Sequence, residues 1–448
     1  MRTAPELDTS RLTRGPGDSP TEPDFLGYTA ASWLALMQES GPVFRTELGG
    51  KETYIICGHE ADLAAWKTPD NWLYGPPSPG GDFFLAELGS MHVSQLDGEP
   101  HRRARKLILP AFGVAAVMRE LPAVSRTLAA GFDAWQGQRL DVHPVLSRLL
   151  TRCLSRSQLK TPLAEDEIDQ LVSFEESFIP AASLTLEDRE KWYARPAYQQ
   201  ARRAVFAVFE RVVAERLAGE RPGDSLDLIM DKPPADGMAT LSVDELERAV
   251  YLLLVAGVGN IANIVCAALW GLAAHPLWLA RLQDELHGFD PEKLRQGMGV
   301  YPVLKAVIQE VERCYLPAPV IPKMTACDQE FLGVHIPGGV NVMQLHGLAH
   351  FEADRYEDPY VFNPGRWLSA GSERANAFGG GTHLCLGMGV TRLYVPLCLG
   401  MLVDKFDWEV AGPPKLVSQD PALDYAPRTT RFPVTFRARK LSQDAAAD

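Results

Sequence analysis

The chain has 448 residues, of which 46% are hydrophobic, so it holds enough apolar material for a sizeable core. Acidic residues outnumber basic ones by 57 to 44, and the resulting net charge of -13 argues against a general nucleic-acid-binding protein. Seven cysteines, an odd number without a C-x-x-C pair, favour a reduced, cytoplasmic chain without a zinc site.

The two ends of the chain differ from its middle. Residues 1–22 are rich in Pro, Gly, Asp and Thr and are predicted to be flexible, as are residues 441–448. The N-terminal segment lacks the roughly 20 consecutive apolar residues that a membrane anchor requires, so we expect no anchor there. Residues 23–440 are left for the folded part of the chain.

Residues 43–90 begin the folded part. Residues 43–57 alternate between apolar and polar types around a Gly-Gly turn, which predicts a β-hairpin, and residues 59–67 predict a short helix. Residues 68–90 contain four prolines and are predicted to form a loop. This loop is unusually apolar for a surface segment, because it carries Trp72, Tyr74, Phe83 and Phe84.

A basic run, H-R-R-A-R-K, begins the next predicted helix at His101. His101 and Arg105 are four residues apart and therefore share one face, where two cationic groups suit carboxylates. Arg102, Arg103 and Lys106 point elsewhere. They form either a solvated face or part of a docking patch for an acidic protein.

Residues 242–275 give the longest helical pattern in the chain. A capping box at residues 242–245 predicts its start, and at 1.5 Å per residue the helix would be about 50 Å long. Residues 250–274 are apolar on nearly every face, which is typical of a helix buried in a protein core. The glycines within it argue against a membrane span.

Three charged residues after the long helical pattern, Glu310, Arg313 and Arg366, are candidates for one cluster. Glu310 and Arg313 are three residues apart on a predicted helix, so they lie on one face. Arg366 follows in the sequence P-G-R-W, and two arginines on one glutamate form a charge-assisted cluster. Between them lie a proline-rich connector, residues 316–322, and a strand-rich segment, residues 323–342.

Residues 378–387, F-G-G-G-T-H-L-C-L-G, are the most informative stretch. A helical pattern begins directly after Cys385, so the free N–H groups and the dipole of that helix would stabilise a thiolate and lower its pKa. The glycines remove side-chain bulk, which lets a large flat group approach the sulfur. This is how a cysteine thiolate binds haem iron, and the alternative is an inert buried cysteine.

With these motifs in this order, the chain resembles the cytochrome P450 family over nearly its whole length. The resemblance implies a single domain, residues 23–440, with the cytochrome P450 fold, mainly α with a minor β region. It also implies haem b (iron protoporphyrin IX) as cofactor, with Cys385 as the axial ligand of the iron. The further haem contacts would be His101, Arg105, Lys323, His383, Phe378 and Gly379. The structural cluster would be Glu310, Arg313 and Arg366, and the substrate pocket would contain Val255, Val258, Ile261, Val320 and Ile321.

The chain departs from the family within the long helix. The family pattern A-G-x-[ED]-T is replaced by A-G-V-G-N, so Gly259 and Asn260 stand in place of the acid and the alcohol that relay protons. Either water or a substrate hydroxyl completes the relay at Gly259 and Asn260, or the enzyme isomerises a substrate that already carries oxygen.

By resemblance the chain is a monooxygenase that inserts one oxygen atom from O2 into a lipophilic small molecule: a terpenoid, a steroid-like compound or a polyketide. Electrons would come from a separate ferredoxin- or flavodoxin-type partner docked on a basic proximal face. The first alternative is a haem-thiolate isomerase or lyase that needs no reductant, and the second is a non-enzymatic haem sensor. His346 and His350 are four residues apart, but the loop-like context between them predicts no metal site.

Overall fold

Helices form most of the protein. The computed structural model describes residues 2–14, 24–48, 50–79, 87, 92–181, 186–231, 241–369, 375–412, 415–417 and 428–439. The α-helices of these residues are α1 (Ala30–Ser40), α2 (His59–Lys67), α3 (Gly98–Phe112), α4 (Val114–Arg119), α5 (Leu121–Asp133), α6 (Val142–Ser157), α7 (Glu165–Ala181), α8 (Leu186–Tyr193), α9 (Pro196–Leu217), α10 (Ser225–Met230), α11 (Val243–Leu254), α12 (Val258–Ala274), α13 (Pro276–Glu285), α14 (Pro302–Cys314) and α15 (Met388–Lys405).

Short strands form a smaller β region. They are β1 (Arg2–Thr3), β2 (Asp24–Phe25), β3 (Tyr28–Thr29), β4 (Val43–Leu48), β5 (Lys51–Cys57), β6 (Trp72–Leu73), β7 (Arg139–Asp141), β8 (Ile321–Thr325), β9 (Gln329–Phe331), β10 (Val334–Ile336), β11 (Asn341–Leu345), β12 (Phe406–Val410), β13 (Lys415–Val417), β14 (Arg428–Arg431) and β15 (Pro433–Ala438). The largest sheet has the order β4-β5-β11-β8-β6. The predicted hairpin is confirmed, because β4 and β5 pair antiparallel with Val43 opposite Ile56.

The long central helix is interrupted. Ser242 and Glu245 form the predicted capping box at the start of α11. The single helix predicted for residues 242–275 nevertheless breaks between α11 and α12, where Gly257 adopts a left-handed conformation with φ of 93°. Glycine is the residue type that adopts this conformation without a steric cost, so the break is built into the sequence.

The central helices are buried by their neighbours. The described residues contain one stretch long and apolar enough to cross a membrane, Val243–Ala274, and 78% of its most apolar window lies inside the fold. α12 packs against α6, α14 and α15, and most of its residues are buried. This is the packing of a core helix in a folded domain.

Residues 2–14, within the segment predicted to be flexible, make contacts with the folded part of the chain. β1 pairs in parallel with β10, and Ala4 and Leu12 are buried. Two apolar side chains and a strand partner therefore fix residues that their composition alone suggested to be loose. Residues 15–23 and the predicted tail, 441–448, lie outside the described residues.

Candidate active site

The loop that carries Cys385 is closed by backbone geometry. The Cys385 N–H donates to the carbonyl of Phe378 at 2.9 Å, and α15 begins three residues after the cysteine. Gly379 and Gly381 have φ angles of 69° and 63°, which a residue with a Cβ adopts only under strain. The glycines of the motif are therefore required for the loop to fold back over its own cysteine.

The environment of the Cys385 sulfur is mixed. Removal from bulk water raises the pKa of the thiol, while the N–H groups of Gly387 and Met388 and the charge of Arg105 lower it. The net direction is upward for the protein alone, and the expected effect of the helix N–H groups is present as a contribution that lowers the pKa. A bound metal ion would reverse this, because coordination deprotonates a thiol outright.

The sulfur faces a cavity of about 450 Å³ between the cysteine loop and the α11–α12 break. Most of its wall is apolar, including Val258, Ile261, Val320 and Ile321 from the predicted pocket. The fifth predicted pocket residue, Val255, is not part of this wall; it is buried in the main hydrophobic core.

Asn260 and Gly259 lie in the first turn of α12. Asn260 lines the cavity, whereas Gly259 is buried and stands behind the wall. The side chain of Asn260 therefore reaches the space opposite Cys385, and Gly259 contributes no group to it. The two positions that would carry an acid and an alcohol in the family hold no titratable side chain.

A stack of three rings lies along one edge of the cavity. The ring of His383 stacks on Tyr74 with centroids 3.8 Å apart and on His101 with centroids 4.0 Å apart. His383 Nε2 approaches the carbonyl of Leu96 at 3.0 Å, which fixes its orientation. The Nε2 atom of His101 is buried without a hydrogen-bond partner among the described residues.

Arg105 joins the same edge. Its Nη2 donates to the carbonyl of Leu384 at 2.6 Å, so α3 is tied to the cysteine loop. Burial, together with the neighbouring His383 and Arg105, lowers the pKa of His101 to about 4. A buried ring nitrogen without a partner, next to an arginine, is a site for a carboxylate.

Lys323 is fully buried on β8. Its Nζ donates to Gln344 Oε1 at 2.6 Å and lies 4.1 Å from the centre of the Trp72 ring. Burial lowers the pKa of this lysine to about 7, and the Asp62 carboxylate opposes the shift. The sequence predicted a propionate ligand here; in the protein alone the ammonium is held by Gln344, and Lys323 is absent from the cavity wall.

Asp62 belongs to a buried network that the sequence analysis missed. Its carboxylate accepts hydrogen bonds from Gln344 Nε2 and from His346 Nδ1, and all three residues are buried. The ring of His346 in turn meets the edge of Trp66, which packs against Gly380 of the cysteine loop. These contacts join residues more than 280 positions apart, which no local pattern signals.

Glu310, Arg313 and Arg366, the predicted charged cluster, are joined by hydrogen bonds in the structure. Glu310 accepts from Arg313 Nη2 at 2.9 Å, from Arg366 Nε at 3.1 Å and from Trp367 Nε1 at 2.8 Å. Glu310 and Arg313 are both 0% exposed. Arg313 also donates to the carbonyls of His350 and Pro359, so the cluster ties α14 to the segment that leads to the cysteine loop.

The three basic residues of α3 predicted to form a docking patch, Arg102, Arg103 and Lys106, do not all lie exposed on the surface. Arg103 is not available for docking, because it forms an ion pair with Glu245 of α11 at 2.6 Å. Arg102 pairs with Glu99 on its own helix and is exposed, as is Lys106. The predicted patch therefore keeps Arg102 and Lys106, and Arg103 serves the packing of α3 on the central helix.

The residues around the cavity fit a haem group. Cys385 offers a sulfur, the glycine loop leaves room beside it, and Arg105 offers a cation on the cavity wall. His101 is not part of that wall, but it stacks on His383, which is, and its Nε2 atom has no partner among the described residues. Among the described residues, no group of three or more His, Cys, Asp or Glu side chains could hold a separate metal ion. This fold, with a cysteine loop beneath a long broken helix, defines a haem-thiolate protein.

Comparison with known proteins assigns the family. The cytochrome P450 family profile matches residues 31–424. The chain is 26% identical to cyclooctat-9-en-7-ol 5-monooxygenase of Streptomyces melanosporofaciens over 397 residues, covering 83% of this chain and 84% of that one. It is 24% identical to pentalenene oxygenase of Streptomyces avermitilis, covering 90% and 92%.

A solved structure agrees on the fold. Retinoic acid bound cyanobacterial CYP120A1 superimposes with a TM-score of 0.75 at 23% identity, covering 91% of this chain and 94% of that chain. The chain belongs to the cytochrome P450 family. It is an oxidoreductase of the haem-thiolate class, and the fold expected from the sequence, mainly α with a minor β region, is confirmed.

Proposed function

We propose that the protein is a monooxygenase that inserts one oxygen atom from O2 into a lipophilic terpenoid. The observation that carries this proposal is the placement of Cys385 and Asn260 on opposite walls of one largely apolar cavity. Two relatives named for terpenoid oxygenation, which the chain matches over most of its length, support the substrate class. An apolar wall with few polar groups selects ligands by shape.

Each site residue has a proposed role toward haem b. Cys385 would hold the haem iron through its sulfur, and the N–H groups of Gly387 and Met388 would moderate the charge of that sulfur. His101, Arg105 and His383 would bind the haem carboxylates, and Lys323 would reach them if its bond to Gln344 opened. When bound, the haem supplies the redox chemistry that activates O2.

The remaining roles belong to the protein's own side chains. Phe378 and Gly379 shape the near wall beside the sulfur, and the apolar wall excludes bulk water from the reacting centre. Asn260 holds and orients a water molecule or a substrate oxygen by its amide, since an amide donates and accepts but does not titrate. The proton itself must then come through ordered water, because neither Gly259 nor Asn260 has a side chain that titrates.

Electrons would come from a separate ferredoxin- or flavodoxin-type protein. The exposed charges of Arg102 and Lys106 on α3, the helix that Arg105 ties to the cysteine loop, favour an acidic partner. A cytoplasmic location is proposed from the free cysteines, since none of the seven forms a disulfide.

The test of the proposed function is the absorption spectrum of the reduced, carbon-monoxide-bound protein. We expect the red-shifted Soret band of thiolate ligation, and Cys385→Ser should abolish that shift while the protein remains folded. A wild-type band without the shift would overturn thiolate ligation. Haem b is checked by extraction and mass measurement of the pigment.

A second candidate is a haem-thiolate isomerase that acts on an already oxygenated substrate. The observation that favours it is the absence of a titratable side chain at Gly259 and Asn260. Turnover of an organic peroxide without reductant would support the isomerase. Turnover that requires both O2 and a reductant would support the monooxygenase.

A further inference from the structure

An open groove lies on the surface between α5 and α6, apart from the cavity that Cys385 faces. Its volume is about 720 Å³, and it shares no lining residue with that cavity. We call it the arginine groove: its lining residues lie within residues 123–135, at α5 and just after it, and within residues 145–156 of α6. The proposed function makes no use of this groove.

Arginine is the charged residue type of the groove. Arg126 lies on α5, whereas Arg148, Arg152 and Arg156 follow one another at intervals of four residues on α6 and so form one row along that helix. No aspartate or glutamate is among the described residues that line the groove. The chain as a whole has a net charge of -13, so this wall is a local excess of positive charge on an acidic protein. Such an excess attracts a negatively charged partner.

The surroundings do not neutralise this charge. Arg126 and Arg156 are exposed, and they form no ion pair among the described residues. The other two arginines pair with Asp169 and Glu165 of α7, whose side chains are 54% and 69% exposed. Exposed ion pairs are weak because water screens them, so carboxylates of a partner can replace these two acids.

The arginine groove has the dimensions of a helix-binding site. Its lining residues recur at every third or fourth position on both helices, as the residues of one helix face do. On α6 they extend from Val145 to Arg156, which is roughly 16 Å of helix, or three turns. On α5 most of the lining side chains are short, such as those of Ala123, Thr127 and Ala130, so another helix can approach closely.

A lipophilic small molecule fits the groove poorly. Trp135, Val145 and Leu149 are its large apolar side chains, and both Trp135 and Leu149 are buried in the main core, so little apolar area is left open. Pockets for such ligands are concave and mostly apolar, whereas this groove carries four arginines. An amphipathic helix suits it better, because one face of the helix can carry small apolar side chains and the other face carboxylates.

We propose that the arginine groove is a docking site for an acidic amphipathic helix of a partner protein. The helix lies along α5 and α6, with acidic residues four positions apart opposite Arg148, Arg152 and Arg156. Its small apolar side chains pack on the short side chains of α5. An arginine binds a carboxylate through two parallel N–H groups, so the row fixes the position of the helix as well as the sign of its charge.

The binding test uses two labelled synthetic peptides, one with four repeats of Glu-Ala-Leu-Ala and one with four repeats of Lys-Ala-Leu-Ala. Dissociation constants are measured by fluorescence anisotropy with the haem-loaded protein. We expect the acidic peptide to bind, with an affinity that falls as salt is added, because salt screens exposed charges. The basic peptide should not bind. Failure of the acidic peptide to bind, or equal binding of both peptides, would overturn the proposal.

Charge variants assign the binding to the groove. Replacing both unpaired arginines, Arg126→Glu with Arg156→Glu, should weaken binding of the acidic peptide about tenfold or more, since two attractive charges become repulsive. Because both side chains are exposed, the double variant should still fold. Arg203→Glu, at an exposed arginine of α9, is the matched control and should change the affinity less than about twofold. Equal losses in the control and the double variant would refute the assignment.

A variant that fills the groove separates docking between the helices from attraction to surface charge. Ala130→Trp keeps all four arginines, and Ala130 is exposed, so the larger ring does not disturb the core. It should weaken binding of the acidic peptide about tenfold, because the indole occupies the place of the docked helix. Undiminished binding to Ala130→Trp would show attraction to the charged rim alone and refute the proposed docking site.

Anionic lipid is the other occupant that the test distinguishes. Sedimentation of the protein with phosphatidylglycerol vesicles, combined with no binding of the acidic peptide, would assign the groove to a membrane surface and overturn the proposal. The inference does not depend on the proposed function, which the red-shifted Soret band reports separately. A normal band without binding of the acidic peptide would refute this inference alone.

Discussion

Replacing Glu310 by glutamine should destabilise the protein more than any exposed charge replacement. Arg313 is 0% exposed, and Glu310 supplies its carboxylate partner at 2.9 Å and 3.0 Å. Removing one member of a fully buried ion pair leaves an uncompensated charge and costs about 3–5 kcal/mol. Arg366, Asn363 and Trp367 lose strength in their bonds to the same carboxylate, so we expect the upper part of that range.

The free energy of unfolding is measured by urea titration, and the fraction of haem that each variant retains is measured alongside it. Glu409→Gln is the matched control, because Glu409 also binds an arginine through both oxygens but is 65% exposed in the pair with Arg437. It should cost at most about 1 kcal/mol. The double variant Glu310→Gln, Arg313→Met should recover part of the loss, since it removes the stranded charge. If Glu310→Gln and Glu409→Gln cost the same, the buried-charge argument is wrong.

Two further outcomes are expected. The pKa of His350 is lowered by burial from 6.5 to about 3, so the unfolded chain binds a proton that the folded chain does not take up between these values. The free energy of unfolding should therefore fall by up to about 1.4 kcal/mol per unit as the pH drops through this window. His350→Asn should flatten this slope between pH 4 and 6 in urea titrations, and an unchanged slope would contradict the assignment. A Cβ on Gly380 would come within 2.4 Å of the Trp66 ring, so Gly380→Ala should displace the cysteine loop and reduce haem content. The control is Gly299→Ala, which has open space around it and should not change haem content. Equal pigment-to-protein ratios in the two variants would refute the packing argument.

The sequence predicted those parts of the site that lie within one short segment. The cysteine loop is specified by glycines at Gly379 and Gly381, and the bond between Glu310 and Arg313 needs only helical spacing. Patterns of this kind are local, so the backbone alone brings the groups together. The break at Gly257 was missed because an isolated glycine in an apolar helix is compatible with both a break and a continuous helix.

Contacts that depend on the tertiary fold could not be predicted. Lys323 was expected to face a propionate, but its partner Gln344 lies on a neighbouring strand whose pairing register is not visible in the sequence. Arg103 was expected on the surface, yet it meets Glu245 across 142 residues. The contacts of Lys323 and Arg103 depend on which hydrogen-bond acceptor the tertiary fold brings closest: Gln344 for Lys323 and Glu245 for Arg103.

The break between α11 and α12 has an electrical consequence. A helix that restarts at Val258 has a second N-terminus, and its first N–H, that of Val258, donates to the carbonyl of Val255 in the break at 3.1 Å. No side chain caps that end, and Gly257, Val258 and Asn260 all line the cavity. The peptide dipoles of α12 therefore place partial positive charge where the family normally keeps an acid and an alcohol. The main chain itself then attracts negative charge or water at a place where the side chains offer no proton.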